Sequence, residues 1–353
     1  MKVGIVACDF GGPQGAEELV PFLTELLTDV LPGPHALKSL VAPRLASARA
    51  GKVRPEYEAI GWSPLVPTHR RQVAALRDAL GPDGPPIASG MMFTAPTMDE
   101  AIAELTSQGV DRFIALPMFP HYSLATTHAA FSFMFDALRR AGLAGRQVHW
   151  IPGYPEHPRY LDALAATIRQ GVDETPGEGP VHLLFTPHGL PLSFVRRGDP
   201  YPDQVRATVR AVVRHMDWKG PVHVGWQSKV GPVRWLEPGT PEVIDRLAAD
   251  GAKRLCMVPV AFASEHIETL SEIDGEYRQH ALDRGIPHFG RAPALGLEPA
   301  YIDCLAMLVR DAVRRFGSYS CMRCHLPKDD AHRRQRRCPN CRFTFPAFLR
   351  DGQ

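Results

Sequence analysis

Thr97-Met98-Asp99-Glu100-Ala101-Ile102 runs on to Gly109-Val110-Asp111-Arg112-Phe113-Ile114-Ala115-Leu116-Pro117. About 140 residues later, Thr240-Pro241-Glu242-Val243-Ile244 runs on to Gly251-Ala252-Lys253-Arg254-Leu255-Cys256-Met257-Val258-Pro259. Each copy reads as a capped helix, a glycine stop, a basic residue, a buried strand and a proline. The apolar runs at 113–116 and 255–258 are what parallel strands covered on both faces require. Two copies at that spacing suggest two like α/β units and not a solenoid. A generic helix–strand unit would read the same way, so the repeat alone leaves duplication open.

Outward from these stretches, strand-like runs cover residues 3–7, 87–91, 148–151, 181–186 and 222–226, and helix-like runs cover 99–106, 160–172 and 204–216. The alternation predicts an α/β fold with parallel sheets. With 353 residues, 44% hydrophobic and 22% charged, the chain reads as a soluble protein long enough for two domains. A net charge of +2 gives no footprint for a polyanion, so nucleic acid is not favoured as a partner. No apolar run is long enough to span a bilayer. The opening Met1-Lys2-Val3-Gly4-Ile5-Val6 reads as a strand and not a secretory signal, being interrupted by Asp9 and Gly11-Gly12. The cytoplasm is the expected compartment.

Ligands of open α/β sheets bind beyond the carboxyl ends of strands. Three segments at such positions carry histidine: Phe119-Pro120-His121-Tyr122-Ser123, Pro187-His188-Gly189-Leu190-Pro191 and Phe262-Ala263-Ser264-Glu265-His266. The third continues into a row in which Glu268, Glu272 and Glu276 recur every fourth residue. On a helix these share one side, where like charges repel unless a cation or a proton offsets them. A solvated helix face is the plain alternative. An imidazole such as His188 facing a carboxylate across a cleft suits Fe²⁺, or proton uptake from a substrate nitrogen.

At these residues the chain resembles the ferrochelatases. The resemblance rests on Gly11-Gly12-Pro13, on Phe119-Pro120-His121-Tyr122-Ser123, and on His188-Gly189-Leu190-Pro191 with Gly198-Asp199-Pro200-Tyr201. It rests also on Trp226-Gln227-Ser228-Lys229-Val230-Gly231-Pro232 with Trp235-Leu236, and on 262–270. It covers roughly residues 1 to 315. It implies two Rossmann-like domains, at 1–150 and 151–316, enclosing a porphyrin cleft. Ferrous iron and a porphyrin would be the substrates and a heme the product. The resemblance makes His188 and Glu268 the catalytic pair and gives them the iron, with His266 and Glu272 supporting. Phe10, His121, Tyr122, Ser123 and Trp226 would bind the macrocycle. The chain departs from the family pattern at Asp9-Phe10, where asparagine and an aliphatic residue are usual. It departs again at His121, which stands for a glutamine and adds an imidazole at the cleft. Gly61-Trp62-Ser63-Pro64 replaces a glycine-rich turn, and Met92-Phe93 replaces a basic–aromatic pair. Protoporphyrin IX and coproporphyrin III both stay open.

Insertion must remove two N–H protons and admit a dehydrated cation. A site that puckers the macrocycle exposes a nitrogen lone pair. Either His188 takes the protons while Glu268 positions iron or relays protons along Glu272 and Glu276, or the roles are reversed. Two other readings stand beside this one: a chelatase for another metal and tetrapyrrole, and a non-catalytic heme or iron sensor on the same fold. In the family, the segment 23–53 forms a lip over the cleft; with Lys38, Arg44 and Arg49 at its rim it would touch a membrane peripherally, or else be a helix pair packed on the domain.

Cys8, Cys256 and Cys304 lie in apolar stretches and read as core. Cys321-Met322-Arg323-Cys324 and Cys338-Pro339-Asn340-Cys341 form two Cys-x-x-Cys knuckles in a terminal extension, 317–353. Four thiolates at that spacing bind metal. Zn²⁺ is favoured on the spacing, with a [2Fe–2S] cluster, which some ferrochelatases carry near the C-terminus, as the alternative.

Overall fold

The computed structural model describes residues 2–31, 33–229 and 231–316. Cys321, Cys324, Cys338 and Cys341 lie outside them. Eight strands form two four-stranded sheets, ordered β2-β1-β3-β4 and β6-β5-β7-β8. The first contains β1 (Val3–Asp9), β2 (Ile87–Met91), β3 (Arg112–Pro117) and β4 (Val148–Trp150). The second contains β5 (His182–Phe185), β6 (Val222–Val224), β7 (Arg254–Val258) and β8 (His288–Arg291). Every pairing is parallel. The two sheets share one strand order, and the repeated strands β3 and β7 take the same place in each.

The helices preceding those strands stop and start for nameable reasons. Thr97 caps α4 (Met98–Ser107): its hydroxyl accepts from the Glu100 N–H, while Glu100 accepts from the Thr97 N–H at 2.6 Å. In the second copy the cap falls one residue earlier than expected. Gly239 is the cap of α9 (Thr240–Ala249), and only the Glu242 half of the exchange is possible, at 3.0 Å to the Gly239 N–H. β8 was absent from the strand-like runs. His288-Phe289-Gly290-Arg291 has no β-branched residue, and its pairing with β7 makes it a strand. Gly290 is needed there, because a Cβ would stand 2.0 Å from the Thr175 hydroxyl.

Before β2 come α1 (Ala16–Val30), α2 (His35–Ala59) and α3 (Leu65–Leu80). Then α5 (Thr127–Arg140) follows β3, and α6 (Pro158–Asp173), α7 (Leu192–Arg196) and α8 (Tyr201–His215) serve the second sheet. After β7 the chain forms a π-helix, Glu268–Tyr277, and then α10 (Arg278–Asp283). The final helix α11 (Pro299–Arg314) packs on α6, on α3 and on β3, so it crosses from one half to the other. One core joins Ile5, Ala7 and Leu116 to Leu183, Phe185 and Val258 through Ile168, Tyr301, Leu305 and Val309. Each buried leucine, isoleucine, valine or phenylalanine of this set stabilises by roughly 1.5–3 kcal/mol relative to exposure. Polar groups seal the same seam. The Gln72 amide donates to the Ala263 and Gly296 carbonyls, and the Tyr154 and Tyr301 hydroxyls both donate to Met118 O. Cys8, Cys256 and Cys304 are buried free thiols, as core residues should be.

Candidate active site

β5 and β7 are hydrogen-bonded neighbours, so the segments leaving their carboxyl ends begin side by side. The first carries His188 and the second carries His266, Glu268 and Glu272. His188 is half-buried, and its Nδ1 lies 2.6 Å from its neighbour's carbonyl, Gly189 O. A carbonyl only accepts, so Nδ1 carries a hydrogen, and in the neutral ring Nε2 has the lone pair. That leaves Nε2 free to take a proton or a metal. The loop is held from the other side by residue 227: Gly189 N–H donates to Gln227 O, and Gln227 N–H donates to Pro187 O. The next residue, Ser228, donates its hydroxyl to Glu272 Oε2 at 2.6 Å. A short covalent and hydrogen-bonded path thus runs from His188 to the acidic row.

That row is not on an α-helix, as its spacing suggested, but on the π-helix, whose i→i+5 bonding widens the coil and still keeps residues four apart in line. Glu268 Oε2 is buried and has no hydrogen-bond partner among the described residues; His266 Nδ1 is 3.7 Å away. A buried carboxylate oxygen without a donor is costly, and it suits a cation. Burial, and then the charges of Glu268, Glu276 and Glu56, push Glu272 up to about 7, against the lowering effect of the Ser228 hydroxyl. Glu56 belongs to α2 in the other half, and its own carboxyl is raised by burial and then by Glu276. Tyr57 is raised by burial and by Glu268. Ile267, just before the π-helix, packs in the cluster that holds Tyr57 and Val53 of α2, so the two elements adjoin.

Beside the acids lies an apolar wall. Partly buried Phe10, Trp62, Phe119, Phe133 and Ile267 border one cluster. Phe10 packs edge-on against Phe93 and Phe22, at 4.7 and 6.3 Å between ring centroids. Met92 and Phe93 point into the same cluster.

A family model described as ferrochelatase matches residues 2–313. Proteins named ferrochelatase from Geobacter metallireducens and Geotalea uraniireducens are each 40% identical, over 88% of this chain and 98% of their own length. The chain belongs to the ferrochelatase family. A ferrochelatase from Synechocystis is 37% identical over 88% of this chain and 83% of its own. Among solved structures, SirB from Bacillus subtilis with Fe³⁺ superposes with a TM-score of 0.54 at 12% identity, covering 89% of this chain and 97% of that one. At such identity the likeness is one of fold, and it supports the chelatase-type α/β architecture.

Several residues expected at the ferrochelatase cleft are buried and have partners within the protein. His121 is 2% exposed, wedged edge-on against Tyr160 and Tyr201. Its Nε2 is 2.9 Å from Thr208 Oγ1, whose own hydrogen goes to Pro155 O. Nε2 is therefore the donor, and burial pulls the imidazole down to about 3, so it is neutral. Ser123 is likewise buried, donating to Asp199 Oδ2 at 2.9 Å, which also accepts from the Leu124 N–H. The Tyr122 N–H donates to Gln204 Oε1; its ring is buried and its hydroxyl lies 3.1 Å from His128 Nδ1. Segment 121–123 thus joins the two halves. Trp226 is buried against Tyr201, with the Arg206 guanidinium over its ring at 5.8 Å. It lines a small recess with Gly189 and Trp235. Sequence reasoning did not single out Ser228, Tyr57 or Glu56. Ser228 sat inside a quoted motif, but its φ of 62° and its bond to Glu272 have no signal in composition.

Proposed function

We propose that this chain catalyses insertion of Fe²⁺ into a porphyrin, with release of two protons, and that His188 and Glu268 carry the chemistry. The observation that carries the assignment of roles is the pairing of an imidazole whose Nε2 lone pair is left free with a buried, undonated Glu268 oxygen on adjoining strand exits. In this reading the Glu268 carboxylate receives the cation. His188 Nε2 accepts a pyrrole N–H proton as a metal–nitrogen bond forms in its place. Glu272 passes protons outward towards Glu276. The apolar wall around Phe10 and Ile267 grips the macrocycle and excludes water, which strengthens the ionic interactions inside. His266 supports Glu268, its Nδ1 lying 3.7 Å from Oε2. Anaerobic assay of the purified chain with Fe²⁺ and protoporphyrin IX or coproporphyrin III tests the reading. No heme from either porphyrin would overturn it.

The tip of the α1–α2 pair leaves Val30, Leu37, Leu40 and Leu45 exposed, with Lys38 and Arg44 among them. No helix among the described residues is long and apolar enough to cross a membrane. We read the tip as a peripheral contact that lets an apolar macrocycle enter the cleft. The four tail cysteines are read as a Zn²⁺ site on their spacing; iron and acid-labile sulfide in the purified protein would assign a [2Fe–2S] cluster instead.

A further inference from the structure

Trp62 has a φ of 72°, the left-handed region that a bulky side chain rarely enters. It follows Gly61, φ 71°, at the end of α2. The helix stop explains the glycine. Gly61 N–H donates to Glu58 O and Trp62 N–H donates to Tyr57 O, the two bonds of a Schellman stop. Such a stop needs a left-handed residue at 61, and it accepts an apolar residue in extended backbone at 62. The second left-handed residue is outside its requirements. Strain of this kind persists where it places a side chain.

The indole is placed on Tyr57, with ring centroids 6.1 Å apart and planes within 14°. Tyr57 is buried beneath it, while the indole remains partly exposed. Both belong to the apolar cluster that reaches Phe10 and Ile267, the residue before Glu268. The following Ser63 ties the turn to the glycines of the first motif: its N–H donates to Pro13 O at 3.0 Å, and its Oγ is the atom a Cβ on Gly12 would strike. The strained turn therefore sets a flat, half-exposed ring at the same wall as Phe10. The family this chain resembles has a glycine-rich turn here.

Resting on the chelatase reading above, we propose that Trp62 is a substrate-contacting residue that sets affinity for the macrocycle, its indole stacking on the porphyrin rim as an extension of the Tyr57 ring. Stacked aromatic pairs gain beyond their buried area, and the backbone cost holds the ring at a fixed angle.

The test uses the full chain, with porphyrin affinity read from porphyrin fluorescence and KM values for porphyrin and Fe²⁺ measured anaerobically. Wild-type protein must first bind and metallate porphyrin; failure there sinks the chelatase reading and leaves nothing for Trp62 to modulate. Trp62→Gly relieves the backbone and removes the ring. Its Tm is expected to stay within a few degrees, its porphyrin Kd and KM to rise about fivefold, and its iron KM to hold. Trp62→Phe should stay within about twofold of wild type. Trp62→Leu, which keeps bulk without an aromatic plate, should weaken porphyrin as glycine does, and serves if the glycine variant does not fold. Unchanged porphyrin Kd and KM in the glycine or leucine variant would overturn the proposal and leave Trp62 as a helix plug.

Discussion

Ser228 holds Glu272 by a 2.6 Å hydrogen bond, and this joins the loop that fixes His188 to the helix that carries the acids. The bond favours the ionised carboxylate, whereas burial and three neighbouring acids favour the protonated one; the protonated form gains, and Glu272 titrates at about 7.

The sign of the pH dependence follows. The folded chain keeps a proton on Glu272 that the unfolded chain has lost once the pH passes about 4.5. Stability therefore falls as pH rises from about 4.5 to about 7 and levels above it. The full difference is roughly 3 kcal/mol. Glu272→Gln should abolish this component, leaving a variant more stable than wild type at pH 8 and similar at pH 4.5. Urea unfolding of metal-free protein across that range checks it; a constant gap between the two proteins would sink the idea. Ser228→Ala should move the step to higher pH.

His188 and Glu268 are expected to dominate turnover. His188→Ala removes the positioned base and should lower kcat by roughly 10²–10⁴, the usual contribution of general-base catalysis. Glu268→Gln removes the charge that meets iron and should raise the iron KM more than the porphyrin KM. Steady-state kinetics with each substrate varied separates the two. Normal iron insertion by the His188 variant would dismiss the proposed mechanism.

Much of the architecture was legible because parallel strands are short apolar runs, and the repeat at 97 and 240 suggested two like α/β units, though not the strand order that the two sheets share. β8 was not, since its four residues owe their conformation to β7. Nor was the π-helix, because residues four apart align on either coil. The burial of His121 was not legible either, for a physical reason. The histidine follows a strand end, as a cleft residue does, but the second half packs over that strand end and turns the imidazole to Thr208. Sequence spacing cannot show which strand end is open.

Arg291, 12% exposed, grips both ends of the segment that carries the proposed site residues. Its guanidinium donates to both Glu265 oxygens at 3.0 and 3.1 Å, and to Asp274 at 2.9 Å. Residues 266, 268 and 272 lie between those anchors. Arg291→Met leaves Glu265 with the Ala294 N–H and Asp274 with Arg278 at 3.8 Å, and should cost less than the roughly 3–5 kcal/mol of a stranded buried charge. Arg291→Lys keeps the charge without the fork, and should fold but insert iron more slowly. A folded lysine variant with wild-type kinetics would show that the clamp does not govern the acids.

The departure at Asp9 has a partner. His69 Nδ1 sits 3.0 Å from Asp9 Oδ2, with both side chains buried, so the acid that stands where an asparagine is usual in the family is matched by an imidazole on α3. Removing one member of a buried pair strands the other, whereas replacing both need not. His69→Leu is thus expected to lose about 3–5 kcal/mol, and Asp9→Asn with His69→Leu to recover most of it. The double variant, compared with each single one by urea unfolding, gives the coupling. Additive losses would mean that Asp9 is stabilised by its bond from the Phe10 N–H and not by His69.

The α1–α2 tip supplies the last expectation. Leu37 and Leu40 are 56% and 63% exposed on a helix that also carries Lys38 and Arg44. Apolar side chains flanked by cations bind anionic bilayers through both surface burial and charge, and salt weakens the second contribution. The chain should float with vesicles of mixed neutral and anionic lipid, less so in high salt. Leu37→Glu with Leu40→Glu should abolish flotation while leaving Tm near wild type, because neither residue is in the core. If the double variant floats as well as wild type, the lipid contact lies elsewhere on the molecule, and the tip is only a helix pair standing in water.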